Sequence, residues 1–514
     1  MTGKLLLAVG RSYAYHPRIW LAVALLIGAV LYTWRINSDP PGFYIDESSI
    51  AYNAHTIAQT GQDEHGIFFP LYFRAFGEFK NPTYIYLLAA LDRIFGPSIL
   101  LARILSAMLG FATALVLGLL AARLSGDGRI GIAMGALTLF DPWLFELSRL
   151  VYEVAAFPLL VALFLLALQR IHTRGTWGWG SSVKLAIVLG VLTYTYSIGR
   201  LLGPLFAFGL VIFMTRENWY GILRTWILYA LTLVPLLCFI LCNPNALSER
   251  FFTVSYIRPD STRWETAWEF LGHYLRNLDP RHWVVPDLTS WPDHVPAKGG
   301  ILVALFVFFV IGSLLTVRDC RRNAWSRFLL FGLLASIVPA ALTISEFHTL
   351  RLAALPIFVI VIGISALAWL AREGHYQVVR RSVLTAVMCF AVLEIVAFQY
   401  LFRTVGQDRT YDSEANYPKV LDAALNGSHE QIILSDRDGY PAYIHAYWYS
   451  TLEGRDVSRF RRLPSSVIPP QGSTVLGTAY PCGGCAIISH MDNFSAYTYD
   501  SPEASGTSGS IKER

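Results

Sequence analysis

The chain has 514 residues, of which 54% are hydrophobic, 14% are aromatic and only 15% are charged. Soluble globular domains carry about 25% charged residues, so this composition excludes an ordinary soluble protein and predicts an integral membrane protein. The formal net charge of +5 is small for this length, which argues against a nucleic-acid partner.

Eleven apolar stretches follow one another along the chain, each close to the roughly 20 residues that a membrane-crossing helix needs. They are residues 19–36, 98–122, 130–147, 150–169, 183–199, 201–215, 225–242, 300–317, 327–345, 352–371 and 382–402. The predicted fold class is therefore an all-α polytopic membrane protein with about 11 transmembrane helices. We interpret the first stretch as a retained signal anchor, because it lacks a clean small-residue cleavage site.

The basic residues are distributed unevenly among the connections, and this predicts an orientation. With a cytoplasmic N-terminus, every even-numbered connection is also cytoplasmic, and each of these connections carries at least two basic residues. They are Arg123 and Arg129; Arg170, Arg174 and Lys184; Arg216 and Arg224; Arg318, Arg321, Arg322 and Arg327; and Arg372, Arg380 and Arg381. The short connections on the opposite side carry little more than Arg149, Arg200 and Arg351. The same orientation places the loops 37–97 and 243–299 and the C-terminal segment outside the cell membrane.

The expected domains are a transmembrane domain over 1–402, an extracytoplasmic C-terminal domain over 403–500 and a disordered tail over 501–514. In the C-terminal domain, Tyr417–Leu425 indicates a helix and Gln431–Leu434 a short buried strand, so we predict a small α/β fold.

Two aromatic or cysteine-containing segments also lie in the regions predicted to be outside. The tryptophans of loop 243–299 suit a segment at the level of the lipid headgroups, and they are Trp264, Trp268, Trp283 and Trp291. Cys482 and Cys485 have CxxC spacing, which fits a disulfide, a redox pair or half of a zinc site. No second CxxC or paired histidine motif accompanies them, which favours a structural disulfide over a metal site.

An adjacent acidic pair, Asp46-Glu47, follows the first apolar stretch and begins a predicted helix, where acids suit the positive end of the helix dipole. The pair either caps a surface helix or supplies a general base or a metal-binding carboxylate. Asn81-Pro82 marks a turn and the start of another helix. Lys80, just before this turn, could bind a phosphate, pair with the acids or contact lipid headgroups.

Further charged residues lie at the same predicted membrane face. Arg149 and Glu153 are four residues apart, which predicts a common helix face and allows a self-contained ion pair. His348 and Arg351 begin a later apolar stretch, and the guanidinium of Arg351 could bind phosphate or extend to the interface. Ionised groups at the edge of hydrocarbon cost about 2.5–3.5 kcal/mol each, so they persist mainly where they line a polar cavity.

Short motifs at fixed places in the chain carry a family resemblance. After the acidic pair and the Lys80 turn come Phe95-Gly96, Ala102-Arg103, AARLSGDGR in the first inner loop, SRLVYE at the fourth apolar stretch and HTLRLAALP late in the chain. Their order and spacing resemble those of the GT-C glycosyltransferases, in particular the group of protein O-mannosyltransferases and bacterial aminoarabinose transferases. The resemblance is dense over 40–170, returns at 345–357 and does not cover the C-terminal segment.

The resemblance implies an enzyme of the bacterial inner membrane that moves a sugar from a polyprenyl-phosphate donor to a lipid, glycan or protein acceptor at the outer face. It implies that Asp46, with Glu47 beside it, lies at the catalytic centre and deprotonates the acceptor. It also implies that Lys80-Asn81-Pro82 matches the Lys-Pro-Pro turn of the family and that Glu153 occupies the second acidic position. Asn81, Glu153 and Leu352 depart from the commonest family residues, which bears on the subfamily more than on the reaction class.

The predicted site follows from these observations together. The expected catalytic residues are Asp46, Glu47 and Glu153, and the expected donor-phosphate-binding residues are Lys80, Arg149, Arg351 and His348. The resemblance leaves a divalent metal open, although no ligand motif indicates one. The expected partners are the polyprenyl-phosphate sugar donor, membrane lipid and an acceptor that the sequence does not identify.

Two other classes of function compete with this prediction. A transporter or lipid flippase would use the acids as ion or proton sites, and it would place charges near mid-span and show inverted repeats. Here the acids cluster at one face, and no internal repeat is visible. A non-catalytic membrane scaffold gives no reason for Asp46, Lys80 and Glu153 to share that face.

Overall fold

The structure is a computed structural model that describes residues 17–500, except 259, 286–298, 346, 375, 405–413, 429, 465, 480 and 483–484. For residues 17–24 it describes the backbone alone. The predicted disordered tail over 501–514 and Trp291 lie outside the described residues.

Helices account for most of the membrane-associated part of the chain. They are α1 (Pro17–Thr33), α2 (Ile45–Thr60), α3 (Pro82–Phe95), α4 (Ile99–Ser125), α5 (Gly128–Leu139), α6 (Pro142–Leu147), α7 (Phe157–Arg174), α8 (Trp179–Thr195), α9 (Gly199–Gly209), α10 (Trp219–Thr232), α11 (Val234–Cys242), α12 (Glu249–Val254), α13 (Arg263–Leu278), α14 (Arg281–Val284), α15 (Val303–Asp319), α16 (Ala324–Ala341), α17 (Leu355–Ala371) and α18 (Gln377–Thr404). Single 3-10 turns, Glu153–Ala156 and Leu210–Phe213, precede α7 and follow α9.

Each of the eleven predicted apolar stretches contains helix, which confirms a mainly helical membrane protein. Five helical segments are long and apolar enough to cross a membrane: Ile99–Ser125, Glu153–Arg174, Trp219–Cys242, Ala324–Ala341 and Gln377–Thr404. Many of their large apolar side chains are exposed, as lipid contact requires. The count of about 11 spans stays a prediction.

The third apolar stretch is interrupted by a sharp break that the hydropathy pattern did not indicate. α5 ends at Leu139, and Pro142 opens α6, because a proline fits the first turn of a helix but not its interior. Asp141, in the break, accepts a hydrogen bond from the Leu302 backbone N–H at 3.1 Å. The break therefore positions Leu302, the residue immediately before α15, through this hydrogen bond.

The C-terminal part of the chain forms a small α/β unit. It contains α19 (Tyr417–Gly427), β3 (Ile432–Ser435), α20 (Tyr443–Leu452), β4 (Phe460–Leu463), β5 (Thr474–Gly477), β6 (Ala486–Met491) and β7 (Phe494–Thr498), where β1 and β2 are the loop strands Phe73–Ala75 and Glu78–Lys80. The five strands have the order β4-β3-β5-β7-β6, parallel on both sides of β3 and antiparallel beyond β5. The predicted buried strand and preceding helix are both confirmed. Cys482 and Cys485 form a disulfide between β5 and β6.

The tryptophans predicted at headgroup level divide into two groups. Trp264 on α13 is 75% exposed, and Trp268 beside it is also exposed, as the prediction requires. For Trp283 the prediction is wrong: it is 2% exposed, and its indole N–H donates to the Asn277 carbonyl at 3.0 Å. Trp283 packs against aromatic rings of α15, so the local composition indicated an interfacial segment where the tertiary contacts bury the side chain.

Candidate active site

The predicted helix at the acidic pair is confirmed and places both acids at its first turn. α2 begins at Ile45, with Asp46 and Glu47 in the first turn, where the free backbone N–H groups favour negative charge. The Tyr44 backbone N–H donates to Glu47 Oε2 at 2.8 Å, which is one half of a capping box. Asp46 remains on the side of this turn that faces a large cavity.

A short hairpin brings Lys80 to the same place. β1 and β2 pair antiparallel with Phe73 opposite Lys80, and a tight turn joins them. Asn81 then caps α3, whose first residue is Pro82, as the Asn-Pro turn predicted. Lys80 is thus held between a strand and a helix start, and both elements limit its movement.

Lys80 and Asp46 form an ion pair at the edge of the cavity. Lys80 is 5% exposed, whereas the Asp46 side chain is 35% exposed, so the carboxylate is the more accessible partner. Burial by itself lowers the pKa of Lys80, but the nearby carboxylates of Asp46, Glu153 and Glu78 raise it by more, so the pKa lies above its ordinary value. The ammonium group also lies 5.2 Å from the centre of the Phe76 ring.

A second acidic group lies next to this pair. Asn81 Nδ2 donates to Glu153 Oε2 at 2.6 Å, and both residues are buried. The other amide atom of Asn81, Oδ1, is buried and has no hydrogen-bond partner among the described residues. Asn81 therefore fixes Glu153 beside Lys80 and leaves one acceptor without a partner.

The cavity has a volume of about 760 Å³. Its charged lining residues are Asp46, Glu78, Glu153, Lys80, Arg200, Arg250 and Arg351, together with His348. Arg351 donates to Ser345 Oγ at 3.2 Å, and Arg250 pairs with Glu78 at 3.0 Å. Five of the seven predicted site residues thus line one cavity: Asp46, Glu153, Lys80, His348 and Arg351.

Glu47 does not line this cavity. It is fully buried, and its Oε1 accepts a hydrogen bond from the Val151 backbone N–H at 2.8 Å. Arg103, which is also fully buried, lies 3.9 Å from Glu47 and donates to four carbonyls of residues 36–42. Glu47 therefore ties the start of α2 to the segment 148–152.

Arg149 also lies away from the cavity. Its guanidinium donates to the carbonyls of Tyr32 and Trp34 and lies 4.5 Å from the centre of the Phe145 ring. The predicted common helix face with Glu153 is wrong, because α6 ends at Leu147 and the chain resumes a helical turn only at Glu153. Glu47 and other side chains bond the backbone of the intervening residues, and these bonds replace the helical ones.

Several cavity residues were not among the predicted site residues. Arg200 belongs, like Arg351, to the small set of arginines on the short connections predicted to face outward, and that distribution was the available signal. One guanidinium nitrogen of Arg200 is buried and has no hydrogen-bond partner among the described residues. Glu78 and Arg250 come from distant segments, and neither stands in a motif that would have singled it out.

The cavity combines the groups that a transfer from a phosphate-activated donor needs. Arginine and lysine can hold a phosphate, and a partly exposed carboxylate can accept a proton. Within the described ranges, no group of three histidine, cysteine, aspartate or glutamate side chains is placed to hold a metal ion.

Solved structures of other proteins share the fold of this chain. No protein-family model matches the sequence, and no curated protein matches it. The crystal structure of ArnT from Cupriavidus metallidurans bound to undecaprenyl phosphate superposes with a TM-score of 0.60 at 11% identity, covering 94% of this chain and 98% of that one. The apo form of the same protein gives a TM-score of 0.57 at 14% identity, covering 93% and 97%. The predicted resemblance to GT-C glycosyltransferases is therefore confirmed in the fold, which this chain shares with ArnT over nearly its whole length.

Proposed function

We propose that the chain is a membrane glycosyltransferase that moves a sugar from a polyprenyl-phosphate donor to an acceptor at the outer face of the bacterial inner membrane. The observation that carries the proposal is the cavity in which Asp46, Lys80 and Glu153 lie together with Arg200 and Arg351. The fold shared with ArnT, whose structure contains undecaprenyl phosphate, supports a lipid-linked donor.

The proposed role of the cations is to hold the donor phosphate. Lys80 supplies a fixed positive charge, and Arg351 and Arg200 supply planar guanidinium groups that can bind phosphate oxygens in pairs. The unpartnered nitrogen of Arg200 suits such an oxygen. These contacts stabilise the phosphate as the leaving group when the bond to the sugar breaks.

The proposed base is Asp46, and its ion pair with Lys80 suggests how donor binding prepares it. When the donor phosphate arrives, it competes with Asp46 for the Lys80 ammonium group. The released carboxylate can then take the proton from the acceptor hydroxyl or amine. The acceptor atom bonds to the anomeric carbon, the bond from that carbon to the phosphate oxygen breaks, and polyprenyl phosphate leaves. Such a direct displacement inverts the anomeric centre.

The proposed role of Glu153 is electrostatic. Asn81 holds its carboxylate beside Lys80, so Glu153 can stabilise the positive charge that develops at the sugar carbon. Glu47 and Arg149 receive no catalytic role in this proposal, because they bond the backbone away from the cavity.

The proposed topology is the one that the basic residues predicted. It has about 11 spans, a cytoplasmic N-terminus, a transmembrane catalytic domain over 1–402 and an extracytoplasmic α/β domain over 403–500. The rival transporter function would place ionisable residues on a path through mid-span. The acids of the cavity instead lie at the start of α2 (Asp46), at the start of the 3-10 turn before α7 (Glu153) and in β2 of the hairpin (Glu78).

Mass spectrometry of envelope glycans and lipids tests this proposal. A strain that lacks the gene should lose one sugar modification, and expression of the wild-type chain should restore it. The Asp46→Asn chain, produced at the same level, should not restore it. An unchanged glycan and lipid profile in the deletion strain, under conditions in which the wild-type chain is produced, would contradict a transferase function.

A further inference from the structure

A second cavity, of about 460 Å³, lies between the hairpin β1–β2 and the C-terminal α/β unit. Its lining residues are His65, Arg74, Phe76, Gly77, Gly439, Pro441, Tyr443 and Arg462. We call it the hairpin cavity. Its lining contains two arginines and a histidine but no carboxylate, so it differs in charge from the first cavity.

The two arginines of the hairpin cavity are available to a ligand. Within the described parts of the chain, neither Arg74 nor Arg462 has a carboxylate within 4.0 Å. The guanidinium of Arg462 lies 3.5 Å from the centre of the Tyr443 ring, a stacking that orients the group while leaving its edge N–H donors free. His65 Nε2 lies 3.0 Å from the Arg74 carbonyl, which holds the histidine against the same wall.

Two carboxylates outside the cavity wall act on Arg462 at longer range, Glu64 and Asp436. Glu64 is buried and accepts hydrogen bonds from Tyr443 at 3.1 Å and Asn53 at 3.3 Å. Burial raises the pKa of Glu64, and burial also raises the pKa of Asp436, to about 6. Neither carboxylate lines the cavity, so the charged side chains that face a ligand there are the two arginines.

One aromatic ring separates the two cavities. Phe76 lines the hairpin cavity and packs edge-on against Tyr443, with ring centres 6.3 Å apart. The same ring lies 5.2 Å from the Lys80 ammonium group, which lines the first cavity. A molecule bound in the hairpin cavity is therefore a single side chain away from the Lys80–Asp46 pair.

We infer that the hairpin cavity binds an anionic group of the acceptor, a phosphate or a carboxylate, and so places the neighbouring hydroxyl or amine of the acceptor near Asp46. The lining brings together two guanidinium groups from separate elements, Arg74 on the hairpin and Arg462 on β4, and both can donate to one oxyanion. The assignment of this anion to the acceptor rests on the proposed transferase function, whereas the anion site itself does not.

The test measures binding of inorganic phosphate and of acetate to the full-length protein in a phosphate-free detergent. Polyprenyl phosphate is first added to occupy the cations of the first cavity, and the titration then reports the remaining site. The Arg74→Gln/Arg462→Gln protein should bind both anions at least about tenfold more weakly than wild type, the scale of lost charge-assisted hydrogen bonds. Whichever anion binds wild type more tightly identifies the acceptor group as phosphate or carboxylate.

Arg461→Gln is the matched control, because Arg461 precedes Arg462 on β4, is exposed and does not line the cavity. It should bind both anions as wild type does. Glu64→Gln removes a nearby negative charge and retains a group that can bond to Tyr443, so it should tighten anion binding. Equal anion affinity in wild type and in the double variant would overturn the site.

The same proteins distinguish a failure of this inference from a failure of the proposed function. Polyprenyl phosphate should bind the double variant as it binds wild type, which also shows that the variant is folded. If wild type does not bind polyprenyl phosphate but loses anion binding on Arg74→Gln/Arg462→Gln, the anion site stands and the donor assignment falls. If donor binding is normal and the anions bind both proteins equally, the acceptor site falls alone.

Discussion

The hydroxyl of Ser48 lies 2.8 Å from His445 Nδ1, although 397 residues separate them in the sequence. The other ring nitrogen of His445 lies 2.8 Å from Glu414 Oε2, and all three side chains are buried. Ser48 follows Asp46 by two residues on α2, whereas His445 belongs to α20 of the C-terminal unit. This chain of contacts fastens the helix that carries Asp46 to the C-terminal unit.

Replacing His445 by alanine should destabilise the whole protein. The substitution leaves Ser48 and one oxygen of Glu414 buried without their partner, which costs about 1–3 kcal/mol for each group. His490→Ala is the control, because His490 makes a similar bond to Ser495, at 2.9 Å, but is itself exposed on β6. Thermal unfolding in detergent should give a midpoint several degrees lower for His445→Ala than for His490→Ala. Equal midpoints would contradict the fastening role.

The two neighbouring acids should respond differently to the same substitution. Glu47 accepts one backbone N–H on each oxygen, and a glutamine can accept only one of them. Glu47→Gln should therefore lower the free energy of unfolding by about 1–3 kcal/mol while donor binding is retained. Asp46→Asn should lower the unfolding free energy less, because the Asp46 side chain is 35% exposed and Glu153 and Glu78 remain beside Lys80. The prediction is wrong if Glu47→Gln abolishes turnover in a protein whose unfolding is unchanged.

The raised pKa of Lys80 predicts how donor binding depends on pH. A base whose folded-state pKa is raised keeps its stabilising charge fully below its unfolded pKa and loses it only as the pH rises through the folded value. The ordinary value for Lys80 is 10.5, and its carboxylate neighbours move the pKa higher. Polyprenyl-phosphate affinity in wild type should therefore not fall between about pH 7 and about pH 9.5. Lys80→Arg, whose charge is permanent over this range, is the reference and should show the same pH dependence. A fall in wild type alone by about pH 9.5 would show that Lys80 loses its proton earlier.

Much of the fold could be predicted from local patterns in the sequence. Hydropathy located the helices, and the acidic pair and the Asn81-Pro82 turn located the starts of α2 and α3 correctly. These signals are local, since they depend on helix capping and on the fixed backbone of proline. The buried strand β3 was also predicted from a local signal, its short run of apolar residues.

Local patterns could not predict which of the charged residues line the cavity and which bond the backbone away from it. Arg149 and Glu47 look like site residues in the sequence, but the carbonyls of Tyr32 and Trp34 and the N–H of Val151 engage them from distant segments. Residues four apart share a helix face only where the backbone between them is helical. Between Arg149 and Glu153 it is not, because other side chains bond that backbone.

Separate measurements of donor affinity and single-turnover rate test whether Asp46 is the base and Lys80 holds the donor phosphate. Asp46→Asn should lower the rate by about 10²–10⁴ without weakening donor binding, because it removes the carboxylate that competes with the phosphate for Lys80. Lys80→Ala should weaken donor binding by about tenfold or more. An Asp46→Asn enzyme that turns over at nearly the wild-type rate would show that Asp46 is not the base.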